Sequence, residues 1–403
     1  MSAARGRWCR ATLLGLCLSG AALAGEVPLR FEHLSLEEGL SQSIVECILQ
    51  DSRGFMWFGT EDGLNRYDGY QFKVFRPDPV QRGGISTAHV VSLHQDRKGI
   101  LWIGTFNGGL NRYDPRTGAF SVYRNEPGNP RSLSHNLVRA IREDGDGTLW
   151  LGTGGGGLDR FDPVRGTFTN FSHDPHDPHS LAGNSVDALF LDRQGILWVG
   201  TQGSGLGRFD PRDGKFQNFR HEAGRPESLG HDDVTAILED AQGRLWIGTR
   251  GGGLDLMDRA SGTFRHFRHD PARASSLGND HVTALHEDRA GRLWIGTNGG
   301  GLNLFVPDAG EFVRYENDPQ EPGSLSRSEV RAILEDAGGM LWVGTYGGGL
   351  NRADPGRKPF RTYRAQPATR TASETRSSGR SSKAPTAASG WGATAAAWSG
   401  SIP

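Results

Sequence analysis

Three observations predict that this chain is all-β and forms a seven-bladed β-propeller of four-stranded antiparallel blades. Seven of the ten tryptophans lie on one period, spaced by 45 residues once and by 48 thereafter. Each period holds four short apolar or alternating runs, separated by Gly- and Asp-rich segments, and no window has a sustained helical period. A four-stranded unit of about 40–50 residues repeated in tandem is typical of a propeller blade. The periodic tryptophans are Trp57, Trp102, Trp150, Trp198, Trp246, Trp294 and Trp342.

One unit shows how the strands are assigned. Runs at 234–240, 245–249, 254–258 and 264–267 are predicted as its four strands. An Asp stands six residues before each tryptophan and a Gly three before it, and Asp-x-x-Gly suits a type I turn. Since each such turn supplies one carboxylate, these Asp residues are interpreted as structural rather than as calcium ligands.

The second predicted strand of each unit carries the tryptophan and, two residues later, a glycine. Both point to the same face of the strand, so we expect the indole to fill the space between neighbouring blades while the glycine leaves room. Cys47 stands where five other units have alanine, and it is predicted to be a small buried residue rather than a nucleophile.

The segment before the first unit predicts how the ring closes. The run Phe31-Glu-His-Leu34 has the pattern of a fourth strand, although no unit precedes it. A strand from this end of the chain could pair into the last blade, which would remove the exposed sheet edges of an open disc.

The N-terminal residues 1–24 have the features of a cleaved signal peptide. Arg5, Arg7 and Arg10 form a basic region, residues 11–23 are mostly apolar, and Ala22-Leu23-Ala24 fits a cleavage site. We therefore expect export to the periplasm. The propeller is assigned to residues 25–364.

Residues 365–403 are rich in Ala, Ser and Thr, lack a strand pattern and are predicted to be a disordered tail. If the reading frame is shifted so that each codon starts one nucleotide earlier, this segment can encode Leu-Trp-Val-Gly. The tryptophan would then stand at position 390, which is 48 residues after Trp342. This pattern suggests an out-of-frame eighth repeat, and a genuine low-complexity tail is the alternative.

Composition excludes several classes of function. The formal net charge of −1 gives no reason to expect a nucleic-acid partner, and no apolar run reaches the ~20 residues that a membrane span needs. Three cysteines cannot build a disulfide framework. No Gly-x-Ser-x-Gly or His-Glu-x-x-His motif occurs, so neither catalytic residues, nor a metal, nor a cofactor is predicted.

Two sets of residues are candidates for binding a small molecule. The first residue of the predicted loop between strands 2 and 3 varies on an otherwise constant frame, which is how loops acquire specificity. Aromatic, amide, acidic and basic tips would suit a sugar or another polar metabolite, although a solvent-facing tip also tolerates any residue. These tips are Glu61, Phe106, Gly154, Gln202, Arg250, Asn298 and Tyr346.

The second set lies just before the first strand of each unit. Its polar side chains would either cap turns or line the mouth of the central channel. It consists of His89, Asn136, Asn184, Asp232, Asp280 and Ser328.

The motif Leu245-Trp-Ile-Gly-Thr-Arg-Gly-Gly-Gly-Leu-Asp255 and its six counterparts resemble the two-component regulator propeller repeat, over about residues 29–364. The resemblance implies an exported, ligand-sensing part of a bacterial signalling protein. In such proteins a further β-domain, a membrane helix and a cytoplasmic histidine kinase or diguanylate cyclase usually follow. None follows in this sequence, so an output domain is expected to be missing.

Two other functions remain open for a propeller. One is a platform that binds other proteins. The other is a lyase of the antibiotic-inactivating type, for which His89, His281 and Asp280 would be the candidate residues.

Overall fold

The computed structural model describes residues 27–78 and 84–356, which form seven four-stranded antiparallel sheets. The predicted seven-bladed all-β propeller is therefore confirmed. The first strands of successive sheets contact one another in a closed cycle, from the first sheet to the seventh and back to the first. The predicted signal peptide and tail lie outside the described residues. The described residues contain no helix with the length and apolarity needed to cross a bilayer.

Each blade is a meander whose strands follow chain order, except in the seventh blade. The first four blades comprise β2 (Val45–Gln50), β3 (Met56–Thr60), β4 (Gly63–Tyr67) and β5 (Phe72–Phe75); β6 (Val90–Gln95), β7 (Leu101–Thr105), β8 (Gly109–Asp114) and β9 (Ala119–Tyr123); β10 (Val138–Glu143), β11 (Leu149–Thr153), β12 (Leu158–Asp162) and β13 (Thr167–Phe171); and β14 (Val186–Leu191), β15 (Leu197–Thr201), β16 (Leu206–Asp210) and β17 (Lys215–Phe219). The last three comprise β18 (Val234–Glu239), β19 (Leu245–Thr249), β20 (Leu254–Asp258) and β21 (Thr263–Phe267); β22 (Val282–Glu287), β23 (Leu293–Thr297), β24 (Leu302–Val306) and β25 (Glu311–Tyr315); and β26 (Val330–Glu335), β27 (Leu341–Thr345), β28 (Leu350–Ala353) and the N-terminal β1 (Glu32–Leu34).

Strand β1 closes the ring, as the sequence predicts. It pairs antiparallel with β28, with His33 opposite Asn351 and Leu34 opposite Leu350. Phe31 is buried in the core between the sixth and seventh blades, and Leu34 in the core between the seventh and the first. Strand β1 thus forms the outer strand of the last blade, and together with the preceding Phe31 it contributes to two hydrophobic cores.

The aspartate of each turn binds the tryptophan that follows it. In the fifth blade, Asp240 Oδ1 accepts hydrogen bonds from the backbone N–H groups of Gln242 and Arg244, while Oδ2 accepts one from Trp246 Nε1. The Nε1–Oδ2 distance is 2.7–3.1 Å in all seven blades. The indole polar group is therefore satisfied in a buried position, which the sequence analysis did not anticipate.

Seven hydrophobic clusters, one at each interface between neighbouring blades, form the core of the described region. Trp246 of the fifth blade contacts Phe305 of the sixth, with ring centroids 5.1 Å apart in an edge-to-face arrangement. A Cβ atom on Gly248 would come within 2.5 Å of Val282 Cγ1 in the next blade. The prediction that the indoles fill the gaps between blades while the glycines leave room is thus confirmed.

The loop that enters each blade is attached to the third strand of that blade, except in the fourth blade. In six blades an Asn or Asp side chain on the third strand accepts the backbone N–H of the residue four positions before the first strand. In the fourth blade Gly207 occupies that position and offers no acceptor to Ala182. The nearby Asn218 Oδ1 is buried without a hydrogen-bond partner.

Replacing Gly207 with asparagine should therefore stabilise the protein. A Cβ atom at position 207 would meet its neighbours at 3.4 Å or more, and its φ is not positive. The new amide can accept the Ala182 N–H and donate to Asn218 Oδ1, and a strand glycine is lost, so we expect a gain of about 1 kcal/mol in the free energy of unfolding. Urea unfolding would measure it. Gly207→Ala separates the backbone contribution, and an Asn variant no more stable than the Ala variant would contradict the hydrogen-bonding argument.

Candidate functional site

A β-bulge in the first strand of every blade supplies the innermost side chains of the propeller. In the fifth blade the pairing of β18 with β19 shifts between Val234 and Ala236, which leaves Thr235 without an opposite residue. The same shift occurs in all seven blades. Bulges of this kind redirect a side chain, and here the bulged residues line a cavity on the propeller axis. We call them the bulge ring: Glu46, Val91, Arg139, Asp187, Thr235, Thr283 and Arg331.

Two further rings surround the entrance to this cavity. The entry ring is the residue directly before the first strand of each blade: Ile44, His89, Leu137, Ser185, Asp233, His281 and Glu329. The tip ring is the loop residue after each Trp-x-Gly-Thr, with the seven members given above. In six blades the backbone N–H of the tip residue donates to the carbonyl oxygen of the entry-ring residue of the same blade. In the fifth blade, for example, the Arg250 N–H donates to the Asp233 carbonyl oxygen, and the Arg250 backbone also forms a bridge with His281 of the next blade.

The axial cavity has a volume of about 320 Å³. Every residue that lines it belongs to one of the three rings. All seven members of the bulge ring take part, together with His89, Leu137 and His281 of the entry ring and Phe106 and Arg250 of the tip ring. The constant frame of the repeat thus leaves the variable residues to determine the character of this cavity.

One side of the cavity carries a network of charges. Arg139 Nη1 lies 3.2 Å from Asp187 Oδ1, and Arg250 lies 3.9 Å from both Asp187 and Asp233. Burial raises the pKa of Asp187, while the two arginines oppose that rise. Burial, followed by the charges of Arg250 and Arg331, lowers the pKa of His281 to about 4, so that its imidazole is neutral at pH 7.

Three polar atoms of the bulge ring are buried without a hydrogen bond in the described part of the chain. They are Arg139 Nε, Asp187 Oδ1 and Arg331 Nε. The contact between Asp187 and Arg139 is an ion pair that lacks hydrogen-bond geometry. Unpartnered buried polar atoms are costly, and a bound polar molecule or ordered water is the usual reason for them.

The opposite side of the cavity carries aromatic rings. Phe106 stacks on His89, with ring centroids 5.1 Å apart and planes inclined by 17°. The Arg331 guanidinium lies over the Tyr346 ring, 4.9 Å from its centroid. Both Phe106 and Tyr346 are 44–45% exposed, so their rings remain accessible.

The predicted tip residues fall into two groups. Phe106 and Arg250 line the cavity, while Tyr346 packs on a lining arginine and Glu61 lies close to Glu46 and His89. Gln202 and Asn298 are exposed and do not line it; Gln202 accepts a hydrogen bond from Ser185.

The second predicted set is revised by the structure. His89 is out of register with the others: it belongs with His281 in the entry ring, one position nearer the strand. The remaining side chains each accept the N–H of the residue eleven positions earlier, and none lines the cavity. They cap the loops that connect blades, and they are Asn136, Asn184, Asp232, Asp280 and Ser328.

The bulge ring was not found from the sequence. Its members lie in a Val-x-Ala pattern in five blades, which suggests regular alternation rather than a bulge. The signal that could have revealed them is chemical: the middle residue ranges from Glu to Arg to Val between nearly constant neighbours.

A larger depression, about 580 Å³, lies at the outer edge of the fourth and fifth blades. Several of its charged groups pair with each other, since Arg259 pairs with Asp192 and Glu239 and Arg225 pairs with Glu222. In the described part of the chain, Arg259 Nε and Asn218 Oδ1 are buried there without a hydrogen bond. It contains no member of the three rings, so the axial cavity is the better candidate site.

The model of the two component regulator propeller matches seven segments of the chain, one in each blade: 39–62, 84–107, 132–155, 180–203, 228–251, 276–299 and 324–347. The chain belongs to this propeller family. The resemblance noted in the sequence is thereby confirmed.

Solved structures similar to this propeller include two extracellular domains from B. thetaiotaomicron. One belongs to BT3049, classed as a hybrid two component system, with a TM-score of 0.70 and 29% identity. The other belongs to BT4673, classed as a one component system, with a TM-score of 0.64 and 25% identity. The matches cover 81% and 80% of this chain but 42% and 40% of those domains, so the propeller corresponds to less than half of either.

Two further relatives match either a short segment of the chain or its fold alone. A histidine kinase, P4 of Formosa agariphila, is 46% identical over 56 residues, which are 14% of this chain and 4% of that protein. Virginiamycin B lyase from Staphylococcus aureus has a TM-score of 0.59 over 81% of this chain and 99% of the lyase. At 16% identity, the lyase shares the fold alone.

Proposed function

We propose that this propeller is an exported, periplasmic sensor module of a bacterial signal-transduction protein, and that it binds a polar small molecule in the axial cavity. The output domain would belong to a part of the signalling protein that this sequence does not include. The similarity to extracellular domains of two component and one component systems supports the role in signalling.

The observation that carries the proposal is the composition of the cavity wall. A cavity of about 320 Å³ is of a size that holds a small ligand, and variable residues of three rings line it. Arginines and an aspartate with unpartnered buried atoms would hydrogen-bond a polar molecule, and the exposed Phe106 ring would stack on its apolar face. A carbohydrate combines both properties.

Thermal-shift measurements against neutral and acidic oligosaccharides would test this proposal. We expect at least one of them to raise the melting temperature, since a ligand at 100 times its Kd adds about 2.7 kcal/mol of stability. Arg250→Gln should lower the affinity for that ligand by about tenfold or more, because it removes a charged hydrogen-bond donor from the cavity wall.

The matched control is Arg212→Gln. Arg212 is an exposed arginine on the turn after β16, where it pairs with Asp210, and it does not line the cavity. A ligand that binds Arg250→Gln and Arg139→Gln as tightly as the native protein would place the binding site elsewhere. Chemical turnover of the ligand would instead favour a lyase, and a protein partner without any small ligand would favour an interaction platform.

A further inference from the structure

We propose that Glu46, Glu61 and His89 bind one divalent transition-metal ion at the rim of the axial cavity. Each residue comes from a different ring: Glu46 from the bulge ring, Glu61 from the tip ring and His89 from the entry ring of the second blade. One ligand atom of each lies within 4.8 Å of the other two. The interface between the first two blades thus brings together one residue from each of three different positions of the repeat.

The three side chains are free for this role. In the described part of the chain, none of them makes a side-chain hydrogen bond or an ion pair with another residue. The next basic member of the bulge ring, Arg331, lies over Tyr346 instead of pairing with Glu46. Two neighbouring carboxylates without a cation repel each other, and a bound metal ion would relieve that repulsion.

The donor set indicates the class of metal. One imidazole nitrogen and two carboxylate oxygens suit Zn²⁺ or a similar first-row ion, whereas Ca²⁺ takes six to eight oxygen ligands. Bonds of about 2.1 Å place tetrahedral ligands about 3.4 Å apart, so the three ligand atoms, which lie within 4.8 Å of one another, need to approach by at most about 1.4 Å. Glu61 is exposed on a loop tip and can rotate to do so.

The surroundings favour a defined site. Phe106 stacks on His89 and limits the rotation of its ring. Three protein ligands would leave at least one coordination position open, as in zinc sites that hold water or a substrate. This inference stands independently of the signalling role, because it concerns metal binding alone.

Isothermal titration calorimetry with ZnCl₂ on the chelator-treated protein tests the site. We expect one ion per chain in the native protein, and a loss of affinity of at least about tenfold in Glu61→Gln, since changes even outside the ligand shell cost 10–100-fold. His89→Ala should lose affinity similarly. Circular dichroism would show whether each variant is folded. If His89→Ala does not fold, the result for Glu61→Gln decides the test, because Glu61 is exposed and its replacement should not disturb the fold.

Two control variants separate this site from others. Glu329→Gln removes a carboxylate from the entry ring of the seventh blade, and His176→Ala removes an exposed imidazole from the loop between β13 and β14. Both should bind Zn²⁺ like the native protein. No binding by the native protein, or native affinity in both Glu61→Gln and His89→Ala, would overturn the proposal, and neither result would bear on the oligosaccharide test at Arg250.

Discussion

Replacing Phe31 and Leu34 together with alanine should open the ring and lower the free energy of unfolding by about 5 kcal/mol or more. Both side chains are at least nine-tenths buried, and each truncation removes apolar contacts from a different interface between blades. Large-to-small changes in a core cost about 2–5 kcal/mol each. Because domains are stable by only about 5–15 kcal/mol, the double variant should be largely unfolded or aggregated at 37 °C.

Urea unfolding followed by tryptophan fluorescence, together with size-exclusion chromatography, would measure this effect. Leu36→Ala is the matched control, since Leu36 lies two residues beyond β1 and is 58% exposed. It should unfold like the native protein. A double variant that remains monomeric and loses less than about 2 kcal/mol would show that strand β1 is dispensable for closure.

Removing the carboxylate of Asp240 should have the second largest effect. Asp240→Ala would leave the buried Trp246 Nε1 and the N–H groups of Gln242 and Arg244 without their acceptor. The Arg244 guanidinium would also lose its carboxylate partner, which lies 2.5 Å away, and would keep the hydrogen bond to Gln242 Oε1. At about 1–3 kcal/mol for the buried indole N–H and about 0.5–1.5 kcal/mol for each of the two backbone N–H groups nearer the surface, we expect a total loss of about 3–5 kcal/mol.

Asp240→Asn divides this loss into its parts. The asparagine oxygen can still accept the two backbone N–H groups, but its NH₂ group cannot accept from the indole. The loss should therefore be smaller, about 1–3 kcal/mol, and the Trp246 fluorescence should change. Equal stability of Asp240→Ala and the native protein in urea would rule out a structural role for this bond. The control is Asp146→Ala, in an exposed turn position of the third blade, which gives the change in stability caused by losing an exposed aspartate.

The strand order, the number of blades and the closing strand could be predicted because each depends on spacing along the chain. The tryptophan period indicates the number of blades. The run around Phe31 has the pattern of a fourth strand but precedes the first repeat unit, so it had to pair with another blade. The bond between Trp246 and Asp240 was harder to predict, although both positions had been singled out. It forms only because the turn folds the second strand back beside the first, so that residues six apart come into contact.

The candidate binding site could be predicted only in part. Phe106 and Arg250 were found because loop tips are expected to vary. The bulge ring was missed because a bulge depends on how two strands pair, which the alternation of Val234, Thr235 and Ala236 does not show. His89 was grouped with residues of another register: it stands one residue before its first strand, whereas the other members of that set stand two residues before theirs.

The bulges have a consequence for the evolution of this protein. A residue in a regular ladder has a partner on the next strand, so its replacement disturbs two positions, whereas each bulged residue lacks an opposite neighbour. Selection can therefore alter the chemistry at the axis one codon at a time while the scaffold is inherited unchanged. Duplication of a single ancestral blade, followed by divergence at these unpaired positions, would be enough to generate many recognition properties from one architecture.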